Sequence, residues 1–178
     1  MIDRSLDHLH PAFRQQAMRL AVAVAKEDLP MRPHEGRRTL ARQAELVAAG
    51  VTTQVALASP HVWGLAIDWC LAMHHPYWDE VGEQPTSPWD TGIDHHGRPV
   101  RPMIIRSQVL GVWRLFGQLA QVACGLNPRP TASQAWGGAW YAEGTSEATH
   151  WIGVDPGHVQ HPTWQQQAKQ LPKPQRAG

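Results

Sequence analysis

The sequence predicts a single α+β domain, and three observations carry that expectation. Three stretches repeat apolar residues at helical spacing, short apolar runs between them read as strands, and 178 residues with 42% hydrophobic and 17% charged content suffice for one buried core. His10-Pro11 opens the first helix, with proline where its missing N–H costs nothing. Phe13, Ala17, Leu20, Ala21 and Val24 then recur on one face, which predicts a helix over 11–27. Pro30 and Pro33 end it and force an extended segment. Thr39 can cap a second helix over 40–49, and Gly50 is a natural stop.

Residues 51–60 read as a connecting loop ending in Ser59-Pro60. Gly64 to Leu71 is a short apolar run carrying one buried-looking carboxylate, Asp68, as a strand in a covered sheet would. From His74 to Pro102 the chain is rich in Pro, Gly, Asp and His without periodicity, which predicts a long functional or mobile loop. Helical spacing returns over 104–126 through Ile105, Val109, Val112, Phe116, Leu119 and Ala123, closed by Gly125 and Pro128. Residues 129–146 read as loop or short strand, and 149–154 as a second strand. Beyond Pro156 the Gln, Pro, Lys and Gly content predicts a loosely held tail, so the domain is drawn over 1–156 and the tail over 157–178.

A formal charge of +1 with no basic run excludes the electrostatic footprint of a nucleic-acid binder. No positive n-region precedes an apolar h-region, and no apolar run approaches the ~20 residues of a membrane span. The expectation is synthesis in the cytoplasm without a signal peptide and no membrane insertion. Cys70 and Cys124 form no CxxC; reduced core thiols are expected, with a single bridge as the alternative. No coiled coil or exposed apolar helix face stands out, so a monomer is expected.

The chemistry concentrates in Ser59-Pro60-His61-Val62-Trp63-Gly64-Leu65-Ala66-Ile67-Asp68. An aspartate among Leu, Ala, Ile and Trp is costly to bury as a charge without a partner, and a metal ion is the strongest such partner. His61 lies seven positions earlier, on the opposite face of an unbroken strand, but Gly64 permits a turn that brings it round. A second element, Glu147-Ala148-Thr149-His150, offers a third ligand and a carboxylate to move protons. Two His and one carboxylate with an open fourth position is a catalytic zinc arrangement. Each half alone is weak, since a lone histidine is more often an ordinary hydrogen-bonded residue.

The pattern SxHxxGxAxD over 59–68 resembles the metal motif of the VanY-like zinc D-Ala-D-Ala carboxypeptidases and the phage L-alanyl-D-glutamate endopeptidases. Gly36-Arg37-Arg38-Thr39 followed by Gln43 is similar to that family's G-Y-R-S…Q element. Trp136-Gly137-Gly138-Ala139-Trp140 before Glu147-x-x-His150 resembles the ending of its endolysin branch. The resemblance spans 36–151 and implies a small antiparallel sheet flanked by helices, a Hedgehog/DD-peptidase-like fold. It further implies Zn2+ on His61, Asp68 and His150, with Glu147 as general base and acid. Arg38 would polarise the scissile carbonyl or hold a substrate carboxylate, and Ser59, Gln43 and Trp136 would line the cleft.

The implied reaction is zinc-dependent hydrolysis of a peptidoglycan stem-peptide amide, by an endolysin cutting L-alanyl-D-glutamate, reaching the wall once the membrane is permeabilised. A D-Ala-D-Ala carboxypeptidase or dipeptidase is the rival within enzymes, and a non-catalytic wall-binding or phage structural module the rival outside them. Arg37 stands where the family has an aromatic residue, so it is a rival to Arg38; Thr39 replaces serine and Ala139 aspartate. His74-His75 and His95-His96 invite a second metal site, but paired histidines in such a loop are usually solvated. Among the nine tryptophans, Trp63, Trp69, Trp113 and Trp151 are expected in the core.

Overall fold

A computed structural model describes residues 2–82, 84–92, 103–127, 135–137 and 155–174. In chain order these residues form α1 (Pro11–Lys26), β1 (Met31–Glu35), α2 (Leu40–Ala48), β2 (Ala66–Leu71), α3 (Pro76–Val81), α4 (Met103–Ala123), β3 (His158–Gln160) and α5 (Trp164–Gln170). The strands make one antiparallel sheet in the order β1-β2-β3, so the expected α+β architecture with a small antiparallel sheet is present.

The ends of the helices are set locally. Pro11 occupies the first turn of α1 and the His10 imidazole accepts from the Ala12 N–H. Thr39 accepts from the Arg42 N–H at the start of α2, as the sequence predicts. α1 buries Phe13, Ala17, Leu20 and Val24, and α4 buries Val109, Val112, Trp113, Phe116 and Ala120, in one core with Ile67, Trp69 and Leu71 of β2. The Trp69 and Phe116 rings lie 5.6 Å apart. Alternation along β2 therefore sends Ile67, Trp69 and Leu71 to the core and leaves Asp68 and Cys70 on the other face.

β1 is an edge strand, which is why Pro33 is tolerated within it. Its register against β2 runs Arg32 to Cys70, Pro33 to Trp69, then Glu35 to Asp68, so His34 is the extra residue of a β-bulge. Glycine is required at position 64. It adopts φ 68°, and a Cβ there would lie 2.9 Å from the His10 backbone nitrogen.

The structure departs from the sequence reading in several places and does not describe others. The stretch 74–102 is not wholly irregular: Pro76–Val81 forms α3, capped by the His75 imidazole and ended by left-handed Gly82. Six residues are too few to show a helical period. The segment after Pro156 is not a loose tail, because it supplies β3 and α5, with Val159 and Ala168 buried. The strand expected over 149–154, together with Trp151 and His95-His96, lies outside the described residues. Finally, α1 exposes Met18 and Val22, and α4 exposes Leu115 and Val122. Cys70 and Cys124 are free and buried, and burial pushes the Cys124 thiol up to about 12. Among the described residues no helix is long and apolar enough to cross a membrane.

Candidate metal centre

Three side chains converge on the face of the sheet opposite the core. His61 stands on a 3-10 turn, Pro60–Trp63, which left-handed Gly64 reverses into β2; that turn brings His61 round to Asp68. His158 opens β3 directly opposite Asp68 in the ladder. His61 Nε2 lies 3.2 Å from Asp68 Oδ1, His158 Nδ1 lies 3.0 Å from the same oxygen, and the two nitrogens are 3.2 Å apart. These three are the group among the described residues whose donor atoms could hold a metal ion.

The chemistry of this donor set fits a divalent cation. The Gly36 carbonyl, 2.7 Å from His61 Nδ1, can only accept, so in the neutral ring the hydrogen sits there and Nε2 is left as a bare lone pair. Gln160 Oε1, 3.2 Å from His158 Nε2, has the same effect and leaves Nδ1 bare. Both lone pairs then point at a carboxylate oxygen, an arrangement that needs either a shared proton or a metal. Carbonyl groups holding the outer ring N–H of each histidine are how proteins orient metal-binding imidazoles. The donor separations also approach the ~3.3 Å edge of a tetrahedron with ~2.0–2.1 Å bonds.

Without a cation, protons must compensate. Burial alone would push the Asp68 carboxyl up, but the opposing charge of His61 and hydrogen bonds from both histidines hold it well below the usual carboxylate range. Burial likewise disfavours charge on His158, yet its hydrogen bond to Asp68 and the charges of Asp68 and Asp155 raise its pKa. The other Asp68 oxygen is also engaged: Arg38 Nη2 donates to Oδ2 at 2.6 Å. Arg38 Nε donates to Glu35 at 2.7 Å, and Arg42 Nε to the same buried carboxylate at 3.2 Å.

Asp155 adds a carboxyl whose charge acts on these groups. The residue is exposed, while protein packed around the carboxyl, and then the charge of Asp68, push its pKa up against the opposing charges of His158, His61 and Arg38. Its carbonyl accepts from the His158 N–H at 3.1 Å, so carboxylate and imidazole belong to one turn.

The structure brings together His61, Asp68 and Arg38 of the residues expected from sequence. Glu147 and His150 lie outside the described residues, and the third donor beside His61 and Asp68 is His158, where the sequence reading expected His150. Arg38, not Arg37, faces the site; Arg37 is exposed. The three residues expected to line the cleft are buried. Gln43 is fully buried, donating to the Gln54 carbonyl at 2.7 Å and accepting from Arg38 at 3.4 Å. Ser59 is buried as the residue before the 3-10 turn. Trp136 is buried, its indole N–H on the Pro156 carbonyl at 2.8 Å, where it braces the turn that carries Asp155 and His158. Sequence reasoning missed Glu35, Asp155 and His158. The last two had a signal, since Asp155-Pro156-Gly157-His158 repeats the carboxylate-x-x-His spacing of Glu147 and His150 and leads into an apolar Val159.

No family model matches the chain, and no curated protein does. Among solved structures it is similar to the crystal structure of Serratia marcescens L-Ala D-Glu endopeptidase ChiX, with a TM-score of 0.48 and 19% identity over 90% of this chain and 87% of that one.

Proposed function

We propose that this protein is a zinc-dependent peptidase that hydrolyses an amide of the peptidoglycan stem peptide, with L-alanyl-D-glutamate as the bond cut. The observation that carries the reading is the convergence of His61 Nε2, Asp68 Oδ1 and His158 Nδ1 beside the carboxyl of Asp155. The motif over 59–68 and the Gly36-x-Arg38…Gln43 element support the same family.

His61, Asp68 and His158 would hold the zinc, which when bound supplies Lewis acidity to a scissile carbonyl and acidifies water. Asp155 takes the proton from the attacking water and returns it to the leaving amine, a task its raised pKa suits. Arg38 keeps Asp68 aimed: by holding Oδ2 it leaves Oδ1 for the cation. Glu35, bracketed by Arg38 and Arg42, fixes that guanidinium in turn. A phage or prophage lysis role belongs to the same reading and rests on the Trp136-Gly137-Gly138-x-Trp140 element alone.

The test is digestion of purified peptidoglycan by the zinc-loaded protein, with released peptides identified by mass spectrometry. New L-Ala carboxyl ends are expected, and Asp155→Ala should abolish them while zinc stays bound. Release of D-Ala alone would replace the endopeptidase reading with a carboxypeptidase. Full activity in Asp155→Ala would remove the proton-transfer role.

A further inference from the structure

The bulge at His34 has a consequence for the face that carries the metal donors. Arg32 and Glu35 are three residues apart and would point to opposite faces of a regular strand. The extra residue restores them to one face, because Arg32 pairs with Cys70 and Glu35 with Asp68, and Cys70 and Asp68 alternate on the same side of β2. Arg32 therefore stands on the site face, two residues along β2 from Asp68, a distance of ~7 Å.

The guanidiniums around the cleft differ in what they have left to offer. Arg38 spends Nε on Glu35, Nη2 on Asp68 and Nη1 on Gln43. Arg42 is held by Glu35 and Glu45. Arg32 is half-buried, and its guanidinium makes no ion pair or hydrogen bond among the described residues, although its charge is felt at both His34 and Cys70. A half-buried guanidinium without a carboxylate among the described residues, on the face of the candidate metal donors, is equipped to receive one from a ligand.

Two residues further along β1, His34 meets the ring of Trp89. The His34 and Trp89 rings meet edge to face with centroids 5.1 Å apart, and Trp89 is 43% exposed. The Trp89 ring lies against Gly157, where a Cβ would come within 2.6 Å of it and press on the Trp69 carbonyl oxygen, next to His158. The loop that carries Trp89 is pinned by buried Asp90, which accepts from the Thr86 N–H and hydroxyl and from the Gly92 N–H, while the Asp90 carbonyl accepts from the Trp113 indole. The Pro88 carbonyl accepts from Leu71 at the end of β2.

We propose that Arg32, with Trp89 and His34 as its wall, binds the free α-carboxylate of the D-glutamyl residue at the scissile bond and so selects stem peptides in which that group is not amidated. This rests on the peptidase reading above and moves substrate recognition from Arg38 to Arg32. A D-glutamyl residue linked through its γ-carboxyl keeps its α-carboxylate free, whereas a D-isoglutaminyl residue presents a neutral amide. The indole face would pack on the methylenes of that residue while the guanidinium pairs with its charge.

The experiment measures kcat/KM of the zinc-loaded full chain on two synthetic stem peptides that differ only in the α-carboxylate or α-amide at this residue. The acid is expected to be cut about 10- to 100-fold better, the worth of one charge-assisted contact. In Arg32→Gln the acid should fall to the rate of the amide, and Arg32→Lys should recover part of the preference. Equal rates on the two peptides in the unaltered protein would overturn the proposal with no variant needed, while leaving the peptidase reading intact. Equal losses on both peptides in Arg32→Gln would also overturn it, assigning Arg32 a structural role. Cleavage of neither peptide would sink the L-alanyl-D-glutamate reading itself, and the proposal with it.

Discussion

The two faces of β2 obey opposite physical rules. Toward α1 and α4, Ile67, Trp69 and Leu71 are buried against apolar neighbours, where any residue of similar volume keeps most of the stabilisation. Toward the cleft, Asp68 is surrounded by His61, His158 and Arg38, and every polar atom needs a particular partner. One strand of six residues thus presents one face to the core and the other to the candidate metal donors. Damage to the first should lower stability with metal affinity unchanged per folded molecule, and damage to the second should lower metal affinity first of all.

That separation can be broken by experiment. The largest effect is expected from His158→Ala, which removes a metal donor: zinc measured by elemental analysis should fall from one per chain to near zero, with the far-ultraviolet circular dichroism retained. His150→Ala beside it should keep full zinc, and the opposite pattern would exchange the two histidines. Next comes the core face, where Trp69→Ala should cost about 3–5 kcal/mol in denaturant unfolding. Arg38→Ala, which frees Asp68 Oδ2, should weaken zinc affinity about 10- to 100-fold in a competition titration with a chelator.

The smallest effect is one of pH on the metal-free protein. The raised pKa of His158 means its pairing with Asp68 contributes stability fully below ~6.5 and loses it as pH rises through the folded value. The depressed pKa of Asp68 works the other way, contributing above ~3.8 and fading as pH falls through its own lower value. The melting temperature of the metal-free protein should therefore decline on the alkaline side, while zinc affinity rises there because fewer protons compete. Parallel trends in the two would argue that zinc binds elsewhere.

Much of this was legible locally. Pro11 and Thr39 announced the starts of α1 and α2, and Gly64 announced the turn that swings His61 toward Asp68. α3 was hidden because one and a half turns leave no period to read. β3 was hidden because three residues in a Gln- and Pro-rich segment have no pattern of their own; Val159 is buried only because β2 is already there. Trp136 looked like a substrate contact beside glycines, but the ring fills space over Gly117, where a Cβ would come within 2.5 Å of it. Arg38 was expected on a substrate carbonyl or carboxylate, but Glu35, three residues before it, and Asp68 on β2 hold its guanidinium.

By itself the sequence determined α1, α2 and α4, the starts of α1 and α2, the apolar face of β2, and the His61–Asp68 pair, because each is written in residues close to one another along the chain. Tertiary structure decided the rest. The chain contains three carboxylate-x-x-His elements of equal spacing, beginning at Asp7, Glu147 and Asp155, and the pairing of β3 with β2 sets the His158 of the last across from Asp68, some ninety positions away. The same pairing logic, through one bulged residue on β1, brought Arg32 onto the working face. Local spacing can offer ligands, but which of them meet depends on strand register, and register is settled by burying the opposite face.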